Sequence, residues 1–173
     1  VGAGAVFSAP TVISLAKTPA YAVGASAPIV IDDFSHDQIA QTQSSHPSFL
    51  FNTRYLEHQT TFSTNSLTMH DFANNGTNPA VTYGGEMFGD LVGCDQLVLQ
   101  NVTSLVGSLL RVLFFGAGVN GTMVGVLSGT DIIFDLTTIN PLVLTDPWSL
   151  GLHFNATHAQ EKRLVAGGPL IAQ

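Results

Sequence analysis

The chain has 173 residues, 45% of them hydrophobic and 10% charged, and its formal net charge is −7. Five Lys and Arg residues cannot build the basic surface that nucleic-acid binding requires, so nucleic acid is excluded as a partner. Seventeen Gly and eight Pro, with few long charged side chains, argue against a helical bundle and favour one β domain with a substantial core.

Residues 1–28 are predicted to form an apolar N-terminal extension, in which Lys17 is the only charged residue. Residues 20–22 (AYA) have the small-x-small form of a signal-peptidase site, so the extension is interpreted as the remnant of an export signal or as a donor strand. A strand packed on its own domain is the remaining alternative. Pro10, Lys17 and Pro19 interrupt the apolar run and argue against a transmembrane helix.

Residues 29–159 are predicted to form an antiparallel β-sandwich, because short β-rich runs alternate with Gly, Pro and Asn turn signals. The run 109–115 is nearly continuous apolar, which predicts a central strand covered on both faces. Residues 160–173 are predicted to be a C-terminal tail. The fold class is therefore all-β and jelly-roll-like, with an extended apolar N-terminal segment. The predicted strands are 29–31, 49–56, 60–63, 66–69, 80–83, 96–100, 109–115, 122–127, 131–136 and 150–154.

Residues 116–121 (GAGVNG) match the G-x-G-x-x-G pattern of dinucleotide-binding loops and follow an apolar strand. That function requires a helix to begin here, but residues 122–127 (TMVGVL) have the composition of a strand. The pattern is therefore interpreted as a hairpin loop. Cys94, the single cysteine, is interpreted as a small residue at the start of a strand.

Carboxylates at the ends of predicted strands offer hard oxygen ligands, and Asp32 and Asp135 are the candidates for a Ca²⁺ site. No D-x-[DN]-x-[DN]-G loop accompanies them, so solvated acids are the alternative and no other cofactor is expected. The six His residues form none of the common zinc-binding patterns. No nucleophile elbow or carboxylate pair for hydrolysis can be located, so the chain is predicted not to be an enzyme.

Four N-x-T sequons occur, and each is a glycosylation site only if the chain meets a glycosylating machinery. They fit an exported surface glycoprotein. Exposed aromatic platforms would indicate carbohydrate binding, but Trp148 is the only tryptophan and there are three Tyr. The sequon asparagines are Asn75, Asn101, Asn120 and Asn155.

Four short motifs resemble a loose family of exported bacterial β-sandwich proteins, many of the PEP-CTERM type. They are residues 29–34 (IVIDDF), 81–85 (VTYGG), 95–99 (DQLVL) and 135–136 (DL), and the likeness covers about residues 29–155. The resemblance implies a jelly-roll-like sandwich, export and a surface or matrix role, with no catalytic residues. The chain departs from that family at its C-terminus, where the Pro-Glu-Pro signal, apolar helix and basic end are missing.

The expected function is that of a structural subunit of an extracellular filament or surface matrix, which assembles by strand addition between copies of itself. Such a contact is heterologous and generates a filament instead of a closed dimer. The alternative is a secreted carbohydrate-binding jelly-roll module that binds surface glycans, with Ca²⁺ as its metal. The predicted anchors of the donor strand are Val6, Val12, Ile13, Leu15 and Tyr21.

Overall fold

The computed structural model describes residues 27–35, 51–57, 60–63, 65–71, 79–87, 91–107, 110–154 and 161–173. Within these ranges the chain forms fourteen strands, a 3-10 turn at Leu136–Thr138 and one short helix, α1, at Leu142–Thr145. The strands are β1 (Ile29–Asp32), β2 (Phe51–Glu57), β3 (Thr60–Ser63), β4 (Ser66–Asp71), β5 (Ala80–Met87), β6 (Gln96–Leu99), β7 (Val102–Val106), β8 (Leu110–Gly116), β9 (Val119–Val124), β10 (Val126–Ser128), β11 (Asp131–Asp135), β12 (Pro147–Phe154), β13 (Lys162–Ala166) and β14 (Leu170–Ala172).

The strands pair in three antiparallel sheets. Sheet A has the order β1-β14-β6-β11-β10, sheet B has the order β2-β5-β12-β8-β9, and sheet C has the order β3-β4-β13-β7. The predicted all-β, sandwich-like fold is confirmed. None of the helical residues within the described ranges forms a helix long and apolar enough to cross a membrane.

Sheets A and C are two parts of one bent layer. The chain passes from β6 to β7 through two residues, and it passes from β13 to β14 through three. Across this bend the backbone N–H of Gly167 donates to Asn101 O at 2.9 Å, and that of Gln100 donates to Pro169 O at 3.1 Å. Asn101 turns the chain with a φ of 53°, which asparagine tolerates better than most residues.

The core follows from the period-two pattern of the strands. In β8, Leu110, Val112 and Phe114 are fully buried, while the residues between them are only partly buried. Leu150, Leu152 and Phe154 repeat this pattern on the neighbouring strand β12. Side chains from all three sheets meet in one apolar cluster, and each fully buried Leu or Phe contributes about 1.5–3 kcal/mol relative to an exposed one.

Three predictions about individual segments are wrong. Residues 160–173 are not a tail, because β13 is an inner strand of sheet C and β14 an inner strand of sheet A, with Leu164 and Leu170 fully buried. The predicted strand 122–127 is divided at Gly125 between two sheets. The run 109–115 includes a central strand, but only alternate residues of β8 are buried, so the strand is not covered on both faces.

The G-x-G-x-x-G pattern is part of a β-hairpin, as predicted. β8 and β9 are joined by Ala117 and Gly118, whose φ angles of 48° and 73° are those of a two-residue primed turn. No helix begins here, so the loop lacks the helix N-terminus that a dinucleotide pyrophosphate needs.

Candidate functional site

At one side of the sandwich, a single continuous stretch of chain forms the edge strands of two sheets. β9 is the edge strand of sheet B, β10 is the edge strand of sheet A, and only Gly125 separates them. A Cβ atom at Gly125 would overlap Ile132 Cγ2 and would lie 2.7 Å from Phe134 Cε1. Glycine is therefore needed for the crossing, and residues 119–128 form what we call the β9–β10 edge.

The β9–β10 edge is uncharged, and half of its exposed side chains are apolar. Val124 is 42% exposed, Val126 is 65% exposed and Leu127 is 49% exposed. Residues 112–130 contain no charged residue and no proline. Proteins usually protect open sheet edges with Lys, Pro or inward-pointing charges, and the only such protection here is that β10 has three residues. The edge is therefore suited to pairing with another strand.

The opposite side of the sandwich is closed by a buried polar cluster. Asp32 of β1, Arg54 of β2 and Tyr83 of β5 are all fully buried. Arg54 Nη1 donates to both carboxylate oxygens of Asp32, at 2.9 and 2.7 Å, and the Tyr83 hydroxyl donates to Asp32 Oδ2 at 2.8 Å. The backbone N–H of Phe34 adds a fourth bond at 2.8 Å. These contacts join an edge strand of sheet A to sheet B.

Burial governs the protonation of this cluster. It raises the pKa of Asp32, while the charge of Arg54 and the hydrogen bonds from Phe34, Arg54 and Tyr83 oppose the rise. Burial and the neighbouring Asp32 carboxylate raise the pKa of Tyr83 well above its usual value of 10.0. Tyr83 therefore remains a hydrogen-bond donor, and the cluster is structural in character.

An aromatic cleft lies beside the β9–β10 edge, on the outer face of sheet B. It has a volume of about 460 Å³, within the roughly 300–1,000 Å³ of small-molecule sites. The rings of Phe115 and Trp148 are tilted by 38° with their centroids 5.7 Å apart, and Trp148 is 53% exposed. The lining residues are Phe115, Gly118, Val119, Asn120, Asn140 and Trp148.

A β-bulge places Trp148 in the cleft. Pro147 pairs with Gly116 and Ser149 pairs with Phe115, so Trp148 is an extra residue in β12. Bulges redirect side chains in this way. Asn140 is held on the other wall, because its Oδ1 accepts a 3.0 Å bond from the backbone N–H of Leu142 at the start of α1.

No protein-family model, curated protein or solved structure matches the chain. The resemblance of residues 29–155 to exported PEP-CTERM-type proteins therefore stays a prediction.

The structure separates the two candidate calcium ligands. Asp32 binds Arg54 and Tyr83, whereas Asp135 is exposed and its Oδ1 accepts bonds from Thr137 N at 2.9 Å and Thr137 Oγ1 at 2.6 Å. β14 and β6 lie between β1 and β11 in sheet A, so the axes of β1 and β11 are about 14 Å apart. No group of three metal-binding side chains occurs among the residues that the structure describes. These placements argue against calcium at either residue.

The remaining predicted site residues fall into two groups. The donor-strand anchors Val6, Val12, Ile13, Leu15 and Tyr21 lie outside the described residues, as do the sequon residues Asn75 and Asn155. Asn101 and Asn120 are exposed, at the bend between sheets A and C and in the aromatic cleft. Their glycosylation stays a prediction.

Sequence reasoning missed both the exposed edge and the aromatic cleft. The uncharged stretch 112–130 was a readable signal for the edge, since edge strands normally carry charge. The cleft left no such signal, because it depends on a bulge at Trp148 and on the position of Asn140 beside β9, between the 3-10 turn and α1.

Proposed function

We propose that the chain is a non-enzymatic structural subunit that assembles with copies of itself by strand addition at the β9–β10 edge. The observation that supports this most strongly is an uncharged edge with three exposed apolar side chains, Val124, Val126 and Leu127. A soluble protein that kept this edge in water would risk uncontrolled pairing. An added strand would satisfy its outer backbone groups and cover these side chains.

The two sides of the sandwich support a directional contact. On the far side, the Asp32–Arg54 ion pair ties β1 to β2, and Asp33 follows at the end of β1. The partly exposed Asp33 carboxylate opposes pairing with an uncharged strand, because it would have to lose its remaining hydration, although Val30 of β1 is also 41% exposed. The β9–β10 edge carries no such obstacle, so we assign it as the acceptor.

The donor that fits this acceptor is the apolar extension, residues 1–28, of a neighbouring subunit. It carries one charge, at Lys17, and it offers Val6, Val12, Ile13, Leu15 and Tyr21 as apolar anchors. Backbone hydrogen bonds supply affinity in strand addition, and alternate side chains supply specificity. Because donor and acceptor are different surfaces, repetition of the contact builds a filament. An extracellular or surface location is part of the proposal.

A charge placed on the acceptor tests this function. Val126→Lys sets an ammonium group in the middle of the edge, and we expect it to abolish polymers seen by negative-stain microscopy and sedimentation. Val92→Lys is the matched control, because Val92 is 60% exposed but lies in a turn that is not part of residues 119–128. We expect the control to polymerise like the wild type.

Removal of the donor gives the complementary test. Deletion of residues 1–22 should leave monomers that have the circular dichroism spectrum of the folded domain. A mixture of this variant with Val126→Lys should not polymerise, because one partner lacks the donor and the other lacks the acceptor. Polymers of wild-type length from either variant alone would overturn the proposal.

A further inference from the structure

The aromatic cleft has the chemistry of a binding site for an uncharged, ring-shaped and hydroxylated ligand. Phe115 and Trp148 offer ring faces, on which the C–H face of a sugar packs as an apolar surface. Asn120 and Asn140 offer amides, which can both donate to and accept from hydroxyl groups. A few polar groups placed around an apolar floor are typical of small-molecule sites.

The lining also indicates which class of ligand is excluded. Among the described residues that line the cleft, none is ionisable. The nearest cation along β8 is Arg111, which lies four residues before the cleft residue Phe115. Its Nε donates to His153 Nδ1 at 3.1 Å. In the cleft itself an anionic sugar would lose hydration without gaining a charged partner, so a neutral ligand is favoured there. His153, which accepts the bond from Arg111, lines the adjoining groove and not the cleft.

The cleft continues into a shallow groove across sheet B. Phe115 lines both, and the groove adds about 180 Å³ along β5, β12 and β8. Gly151 forms part of its floor, since a Cβ there would meet only His153 Cδ2, at 4.0 Å. A path that crosses several strands from Trp148 to Thr82 suits a chain of sugar units better than a single ring.

We propose that this cleft binds a neutral oligosaccharide, with Phe115 and Trp148 as the stacking platform and Asn120 and Asn140 as hydroxyl partners. This goes beyond the proposed assembly function, because it assigns a ligand and a cleft that shares only Val119 and Asn120 with the β9–β10 edge. Strand addition at β9 extends sheet B in its own plane, so it leaves the outer face of the sheet accessible. Each subunit of a filament would then carry one cleft.

Fluorescence gives a direct measurement, because Trp148 is the only tryptophan in the chain. The neutral probes are the hexasaccharides of glucose, mannose, xylose and N-acetylglucosamine. We expect at least one of them to shift or quench the Trp148 emission in a saturable way. We expect oligogalacturonate, the anionic probe, to have no effect. Failure of every neutral probe, or a response to oligogalacturonate alone, would overturn the proposal.

Substitutions locate the binding site. Trp148→Ala should weaken binding of the responding hexasaccharide at least tenfold by calorimetry, and Asn120→Ala should weaken it about fivefold, as for one lost hydrogen bond. Leu142→Ala is the matched control, because Leu142 is also 53% exposed but does not line the cleft. Equal loss in the control, or unchanged affinity in both cleft variants, would overturn the assignment.

The two proposals fail separately. Val126→Lys removes the acceptor edge and leaves the lining of the cleft intact, so this monomeric variant should bind the hexasaccharide with wild-type affinity for a single site. Trp148→Ala should still polymerise. Loss of binding in Val126→Lys would show that the sugar site depends on assembly and would overturn an independent cleft.

Discussion

Arg54 Nη1 lies within 2.9 Å of both carboxylate oxygens of Asp32, and both side chains are fully buried. The two residues are 22 positions apart and belong to different sheets, so this ion pair fastens the sandwich along the side opposite the β9–β10 edge. A buried pair of this kind contributes less through its own attraction than through the cost of losing one partner.

Asp32→Asn should therefore destabilise the fold by about 3–5 kcal/mol, because it removes the carboxylate and leaves the Arg54 guanidinium buried. Urea denaturation followed by circular dichroism measures the loss. The double variant Asp32→Asn with Arg54→Met should recover part of it, since it removes the buried charge. A double variant no more stable than Asp32→Asn would contradict this account of the cluster.

Tyr83 makes the stability of the fold sensitive to alkaline pH. The folded protein keeps the Tyr83 proton well above pH 10, whereas the unfolded chain releases it near that value. Because the folded state then binds more protons, stability is retained below pH 10 and falls as the pH rises above it. The loss from this residue grows with each further rise in pH for as long as folded Tyr83 keeps its proton.

Tyr83→Phe supplies the reference for that measurement. The phenylalanine variant is less stable near neutral pH, because Asp32 loses a hydrogen bond, but it lacks the titration. The difference in free energy of unfolding between wild type and variant should shrink between pH 9 and pH 11. Parallel curves for the two proteins over this range would refute the assignment.

Ala117 occupies a backbone conformation that favours glycine, with a φ of 48°. Ala117→Gly should stabilise the domain by about 0.5–1 kcal/mol, because relief of the left-handed strain exceeds the added entropy of the unfolded chain. Its neighbour Gly118 gives the opposite test, since a Cβ there meets no atom within 4 Å and only strain is added. Gly118→Ala should cost about 1 kcal/mol by thermal or urea unfolding.

Glycine is required at position 125 because there is no space for a side chain, and not because of its φ angle. Gly125→Ala should cost about 1–3 kcal/mol through overpacking against Ile132 and Phe134. Gly151→Ala is the matched control, because Gly151 is also a strand-region glycine but has open space above it. We expect the control to be neutral or slightly stabilising. Equal effects of the two substitutions would show that the crossing is not tightly packed.

Local patterns in the sequence anticipated the strands better than they anticipated their partners. Alternating apolar residues and turn signals predicted the region of β8 and the hairpin at Ala117 and Gly118, since both depend on nearby residues. The burial of Leu164 and Leu170 was missed. A short apolar run near a chain end looks the same whether it is exposed or inserted between distant strands.

The candidate sites were harder to anticipate for the same reason. Asp32 was identified as an acid of interest, but its role depends on Arg54 and Tyr83, which come from two other strands. Trp148 was noticed only as a single tryptophan, and its position depends on one extra residue in the pairing of β12 with β8. Neither relationship leaves a periodic trace in the chain.

The bend between sheets A and C has a consequence for how the domain opens. β6 with β7 and β14 with β13 form one folded ribbon, so a register slip in either half would turn Leu99 or Leu164 away from the core. The backbone amides of the inner strands β6, β13 and β14, and those of β7 that bond to β13, should therefore exchange with deuterium in a single cooperative event. Fraying would then be confined to the outer strands, which keeps transient exposure of the core away from the middle of the ribbon.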